Sequence, residues 1–193
     1  MEGKQLKPMN KIIIGLVGEI SAGKDTMADY LAKHHSAETV SFSQPLRDIL
    51  DRLYLPQTRK NLANCGIALR GAFGQDLLSK TIAEEVRHSK AEIVVLPNVR
   101  LESDLIYLAQ EPGFVLVAIN VEQKIRFTRL QNRQQNADDA GKTWEQFLQD
   151  SQLPTEIHIR ELAQRATYQI DNNGEKEELF KQAEQLIKQL RKE

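Results

Sequence analysis

The sequence holds a single cysteine, Cys65, among 193 residues, so no disulfide can form within the chain. With no His or Asp neighbours beside it, Cys65 reads as a small filler rather than a nucleophile. Aromatic residues make up only 6%, and no apolar run reaches the length of a membrane span. Neither sign of charge prevails. The 26 Lys and Arg against 27 Asp and Glu leave a formal net charge of −1. No global field would draw such a chain to nucleic acid or to an acidic membrane, so any anion site must be built locally. The opening stretch, MEGKQLKPMN, is polar and lacks the apolar core of a secretion signal. It reads as a tail ahead of Met9, and the expected compartment is the cytoplasm.

What is present is the balance of a soluble globular protein: 40% hydrophobic and 27% charged residues. The length fits one domain with a real core. KIIIGLV at 11–17 is a continuous β-branched run, the mark of a strand buried on both faces. A helix is expected to about residue 35, with Met27, Tyr30, Leu31 and His34 on one side. Further strands are expected at 39–42, 92–96, 114–120 and 168–170. Helices are expected at 45–55, 68–88, 101–110, 122–135, 144–152 and 155–166. The last helix carries Leu179, Phe180, Ala183, Leu186, Ile187 and Leu190 at helical spacing. The stretch between residues 55 and 68, with Pro56, Asn61, Asn64 and Gly66, reads as a break, and 136–143 as a loop. Strands alternating with helices predict an α/β fold around a parallel sheet.

Between the first strand and first helix stand Gly18, Glu19, Ile20, Ser21, Ala22, Gly23 and Lys24, a match to G-x-x-x-x-G-K in the context that tests it. Glycines let successive N–H groups curl around a phosphate. The helix N-terminus adds partial positive charge, and Lys24 a full one. Where a magnesium-binding Ser or Thr is usual, this chain has Asp25, followed by Thr26. Asp25 is a direct metal ligand, a ligand through water, or a helix-start carboxylate with no metal role.

Other residues are candidates by type and place. Arg126, Arg129 and Arg133 share one helix face, either to stabilise charge in phosphoryl transfer or as a solvated basic stripe. Arg160 and Arg165 are secondary candidates. Arg47, Arg70 and Arg100 are forked donors suited to an acceptor phosphate, and Arg100 follows a strand end, where open α/β sheets place ligands. Ser43 either touches the acceptor or caps the helix after it. The four histidines show no metal-ligand spacing. Trp144 and Phe147 read as packing residues rather than a base stack.

The runs GKDTMADYL (23–31) and FSQPLRD (42–48) resemble the deoxynucleoside monophosphate kinases. LRGAFGQDLL (69–78) and VLPNVR (95–100) look like further pieces of that family, with Asn98 where its members have Asp. KIRFTRLQNR (124–133) and IDNNG (170–174) are similar to adenylate-kinase-like proteins and dephospho-coenzyme A kinases. The resemblance spans nearly the whole chain in order. It implies a single domain over 1–193 of five parallel strands with helices on both faces, an acceptor-binding helical region at 43–90 and a lid at 126–160. It implies ATP and Mg²⁺ as cofactors and a nucleoside monophosphate as acceptor, handled by a monomer or homodimer. The adenine would rest against the turn holding Asn172 and Asn173. Arg129 and Arg133 would flank the lid entry. Gln149 ahead of Asp150, where relatives often have Arg, leaves that lid one cation short. Two other readings stay open: a dephospho-coenzyme A kinase, and a nucleotide-binding regulator without turnover.

Overall fold

The computed structural model describes residues 11–133 and 141–192, with the backbone alone at Arg59 and Arg133. The tail expected at 1–9 and most of the 136–143 loop lie outside the described residues.

Five strands form one sheet: β1 (Ile12–Val17), β2 (Glu38–Thr39), β3 (Ile93–Leu96), β4 (Phe114–Asn120) and β5 (Tyr168–Asp171). Their order is β2-β3-β1-β4-β5, and every pairing is parallel. Parallel strands need crossovers, and the connecting helices cover both faces. One face packs against α1 (Lys24–His35) and α9 (Lys176–Leu190). The other packs against α4 (Leu77–His88), α5 (Glu102–Leu108) and α8 (Pro154–Gln164). β1 is buried along its whole length, as its unbroken apolar run requires. Because all strands point one way, Val17, Leu96, Asn120 and Asp171 end at the same edge of the sheet. Ligand chemistry is concentrated at that edge in open α/β folds.

The expected α/β class and the five parallel strands are borne out. Several boundaries differ. The second strand covers two residues rather than 39–42; Val40 adds one ladder bond to Val95 O at 2.9 Å, and the chain then turns into α2 (Gln44–Arg52). The break expected between 55 and 68 is largely helical. α3 runs Arg59–Phe73, started by Thr58, whose side chain accepts from Asn61 N. Gly66 lies within it, where a Cβ would meet Leu46 at 3.4 Å, an ordinary contact, and the movable end of the Arg70 side chain at 3.1 Å, so the position does not demand glycine. The real break falls within the helix expected at 68–88. Gly74 has φ +108°, a conformation that non-glycine residues rarely adopt, and it separates α3 from α4. Asp76 just beyond it accepts from Tyr107 Oη at 2.7 Å, pinning α4 to α5.

In α9, Leu179, Ala183, Leu186 and Ile187 are buried, while Phe180 stacks on Tyr30 of α1 with centroids 4.2 Å apart. The remaining helices, α6 (Gln123–Arg133) and α7 (Trp144–Asp150), lie on either side of residues 134–140. Among the described residues, no helix is long and apolar enough to cross a membrane.

Candidate nucleotide and acceptor site

The loop after β1 is shaped for an anion. Ser21 has φ +60° and Gly23 φ +99°, so the chain curls before α1 begins. Lys24 folds back along it, with Nζ donating to Gly18 O at 2.6 Å and Glu19 O at 3.1 Å. Ser21 Oγ is buried without a hydrogen-bond partner. A buried hydroxyl without a partner is costly, and a phosphate oxygen would supply one. The loop thus fits the triphosphate of ATP in curvature, charge and an unused donor.

The loop is braced from behind. Asn172, 5% exposed, donates from Nδ2 to Ala22 O at 2.8 Å. A Cβ on Gly23 would come within 2.4 Å of that amide, so glycine is required there twice over, by φ and by space. Asn172 was expected among the ATP contacts; its amide is directed at the loop backbone. Asn173 accepts from Glu122 N at 2.8 Å and donates to Asp171 Oδ1 at 2.7 Å, fixing the turn after β5.

Asp25 is exposed in the first turn of α1, and Thr26 is half-buried beside it. No three His, Cys, Asp or Glu side chains converge into a metal cage among the described residues. Magnesium keeps several waters and takes one or two protein oxygens together with substrate phosphates. Asp25 and Thr26 are hard oxygen donors at the right end of the helix for that role.

The arginines of α6 divide by depth. Arg126 is 1% exposed, so it is no solvated stripe. Its Nη2 lies 3.0 Å from Glu19 Oε2, though off the line of an aligned hydrogen bond. Its Nε donates to Val121 O at 3.2 Å, and its guanidinium sits 5.3 Å above the Phe147 ring, in cation–π range. Burial pulls its pKa down; Glu19 and Glu156 oppose that, and Arg160 adds to it. Arg129 reaches the turn after β5, donating from Nη2 to Gly174 O at 3.0 Å, while its Nη1 is buried without a partner. Arg133 ends α6, and its side chain lies outside the described set.

Arg160 on α8 donates from Nη1 to Glu19 Oε1 at 3.0 Å and to Ser151 O at 2.8 Å. Arg165 instead forms an exposed pair with Glu102. A cavity of about 430 Å³ opens beside the loop, lined by Glu19, Val121, Arg126, Arg160, Gln164 and Asn173 among others. Lys142 contacts Asp150, so the position that lacked an adjacent arginine does have a cation.

Among the acceptor candidates, Arg70 and Arg100 have their charges near enough to Asp104 to act on its carboxylate. That carboxylate accepts from Arg100 N and Leu101 N, each at 2.9 Å. Burial raises its pKa; the two backbone bonds, then the charges of Arg70 and Arg100, hold the rise back. Arg47 belongs to a separate exposed chain, donating to Gln57 Oε1 at 2.8 Å, with Gln57 donating to Asp51. Ser43 makes no side-chain cap on α2; its hydroxyl lies 3.0 Å from that of Ser41. Sequence reasoning did not single out Asp104 or the side-chain role of Glu19. A carboxylate in the first turn of a helix that follows a strand end was the available signal for Asp104, and a charged residue inside a glycine loop was the signal for Glu19.

No family model matches the chain. It is 24% identical over 186 residues to a protein described as a UPF0200 protein from Methanothermobacter thermautotrophicus, covering 94% of this chain and 92% of that one. Among solved structures it is similar to shikimate kinase from Bacteroides thetaiotaomicron, with a TM-score of 0.64, 19% identity, and 93% of this chain and 98% of that one covered. A gluconokinase from Sinorhizobium meliloti 1021 gives a TM-score of 0.54 at 14% identity, with 96% of each chain covered. With its five parallel strands, helices on both faces and curled loop after β1, the chain has the fold of the P-loop kinases.

Proposed function

We propose that this protein transfers the γ-phosphoryl group of ATP, with magnesium, to a small anionic acceptor, first among them a nucleoside or deoxynucleoside monophosphate. The observation that carries the reading is the loop at 18–26: left-handed Ser21 and Gly23, Lys24 folded onto Gly18 O and Glu19 O, and an unpartnered Ser21 hydroxyl. The similar kinase folds support phosphoryl transfer to a small molecule. The resemblance of GKDT and the later motifs supports the monophosphate.

The roles follow from position. Lys24 and the loop amides hold the donor phosphates. Asp25 and Thr26 would hold magnesium, which would supply charge neutralisation at the phosphates. Arg129, seated on the turn at Gly174, holds the donor nucleoside end and leaves Nη1 for a ligand. Arg133, the last residue of α6, acts on the transferring group. Arg70 and Arg100, whose charges both act on Asp104, hold the acceptor anion together with Ser43 and Arg47 at the start of α2. No covalent intermediate is needed; catalysis rests on positioning and charge stabilisation.

A second reading keeps the donor site and changes the acceptor to a hydroxyl on a small acid or on dephospho-coenzyme A. It is favoured by the named activities of the similar structures, shikimate kinase and gluconokinase. One screen separates them: γ-labelled ATP and Mg²⁺ with ribo- and deoxyribonucleoside monophosphates, dephospho-coenzyme A, shikimate and gluconate. Label on a monophosphate is the expected result. Label only on a hydroxyl acceptor replaces the first reading by the second. ATP binding with no labelled product from any acceptor makes the protein a nucleotide-binding regulator.

A further inference from the structure

Glu19 does something that a phosphate-loop residue need not do. Its carboxylate faces away from Lys24's contact and holds two guanidiniums on two different helices, Arg126 of α6 through Oε2 and Arg160 of α8 through Oε1, each at 3.0 Å. Its own carbonyl accepts from Lys24 at 3.1 Å. One residue therefore joins the loop lysine to α6 and α8, the helices before and after α7.

The contact continues outward. Arg126 lies 5.3 Å above Phe147 of α7. Phe147 stacks on Trp144 with centroids 5.6 Å apart, and Phe127 meets Trp144 edge-on at 5.2 Å. The chain of contact thus runs from the loop to the sole tryptophan of the protein. It is also incompletely satisfied. Both terminal nitrogens of Arg126 lack an aligned hydrogen-bond acceptor, and Glu156 Oε2 is buried without a partner. Buried charges in an imperfect arrangement favour rearrangement when a better one is offered. Without the Glu19 charge, Arg126 and Arg160 would face each other with like charge.

We infer that Glu19 is a positioning residue that ties the state of the phosphate loop to the lid helix α7 through Arg126, Phe147 and Trp144. The inference rests on the nucleotide-binding reading of the loop. When triphosphate draws Lys24 off the Glu19 carbonyl, the loop turn carrying Glu19 shifts, and the two arginines shift with its carboxylate. Spatial continuity alone does not establish coupling, so the test reads coupling directly.

Mg·ATP is titrated into the full-length protein, with binding measured by calorimetry and Trp144 emission recorded in parallel. Wild type is expected to show a saturable emission change that tracks the heat. Glu19→Gln keeps the size of the side chain and removes its charge; at saturating Mg·ATP it is expected to lose most of that change. Arg126→Met, which leaves Glu19 with Arg160, is expected to lose it as well, and serves if Glu19→Gln fails to fold. A merely structural role for Glu19 would lower Tm and leave the emission response at saturation intact; that result overturns the inference. So does wild type binding Mg·ATP with unchanged emission. No heat of binding in wild type overturns the nucleotide reading itself, a distinct failure.

Discussion

The side-chain amide of Asn172, at the end of β5, donates to the carbonyl of Ala22, inside the phosphate loop 150 residues earlier, at 2.8 Å. This bond ties the curled loop to the turn after β5. Asn172→Ala should therefore lower stability by about 1–3 kcal/mol, the cost of leaving a buried carbonyl unpaired, and weaken ATP binding together with it. Asn172→Asp should weaken ATP more than the alanine does, because it sets a carboxylate against that carbonyl and beside bound phosphates. Chemical melts and ATP calorimetry on the two variants check both orders.

Lys24→Met should lower phosphoryl transfer by about a hundredfold or more, the scale on which single charge-stabilising groups act, while circular dichroism stays that of wild type. Asp25→Ala should raise the magnesium needed for half-maximal rate more than Asn98→Ala does, since Asp25 is the carboxylate nearest the loop lysine in sequence. Magnesium titrations of initial rates read this. Equal curves for Asp25→Ala and wild type would leave the metal to Thr26 and water.

Asp104 is a buried acid bonded to two backbone N–H groups at the end of β3. Asp104→Ala should cost about 1–3 kcal/mol, because both donors lose their acceptor. Asp104→Asn can present its oxygen to the same two donors without burying a charge, and should remain within about 1 kcal/mol of wild type at neutral pH. Its raised pKa sets the sign of the pH effect. The folded state binds the proton more tightly than the unfolded one, so this group's contribution to stability falls as pH rises from the ordinary Asp value through the raised one. Urea melts of the three proteins across that range test it.

Glu184 of α9 carries the opposite sign. It accepts from Tyr30 Oη at 3.0 Å and lies 2.7 Å from His35 Nε2. The hydrogen bond with His35, then that with Tyr30, lowers its pKa. A depressed acid stabilises the fold above its unfolded pKa and loses that contribution as pH falls through the folded value. The Tm difference between wild type and Glu184→Gln should thus be present above the ordinary Glu value and shrink as pH falls below it. A difference that grows on acidification would contradict the assignment.

The sequence by itself determined the phosphate loop and the sheet. An unbroken apolar strand, a glycine-bounded loop with lysine and a following helix form a local pattern, and local patterns are written in consecutive residues. The alternation of strands and helices likewise sufficed for the parallel α/β architecture. The sequence was misleading where local chemistry competes with packing. Asn61, Asn64 and Gly66 look like a break, yet α3 forms there, started by Thr58, whose side chain accepts from Asn61 N. Gly74, embedded in a helical pattern, breaks it because its backbone is left-handed.

Only the tertiary structure decided which polar residues face the site. Arg126, Arg129 and Arg133 are equivalent by helical spacing, yet Arg126 is buried on Phe147 and Glu19 while Arg129 reaches Gly174. Asn172 braces the loop although it looked like a base contact, and Arg70 of α3 brings its charge near Asp104 of α5. The contacts of Arg129 with Gly174, Arg126 with Glu19 and Asn172 with Ala22 join residues 45 to 150 positions apart at one edge of a sheet, a proximity created by strand order and crossovers rather than by any run of neighbouring residues.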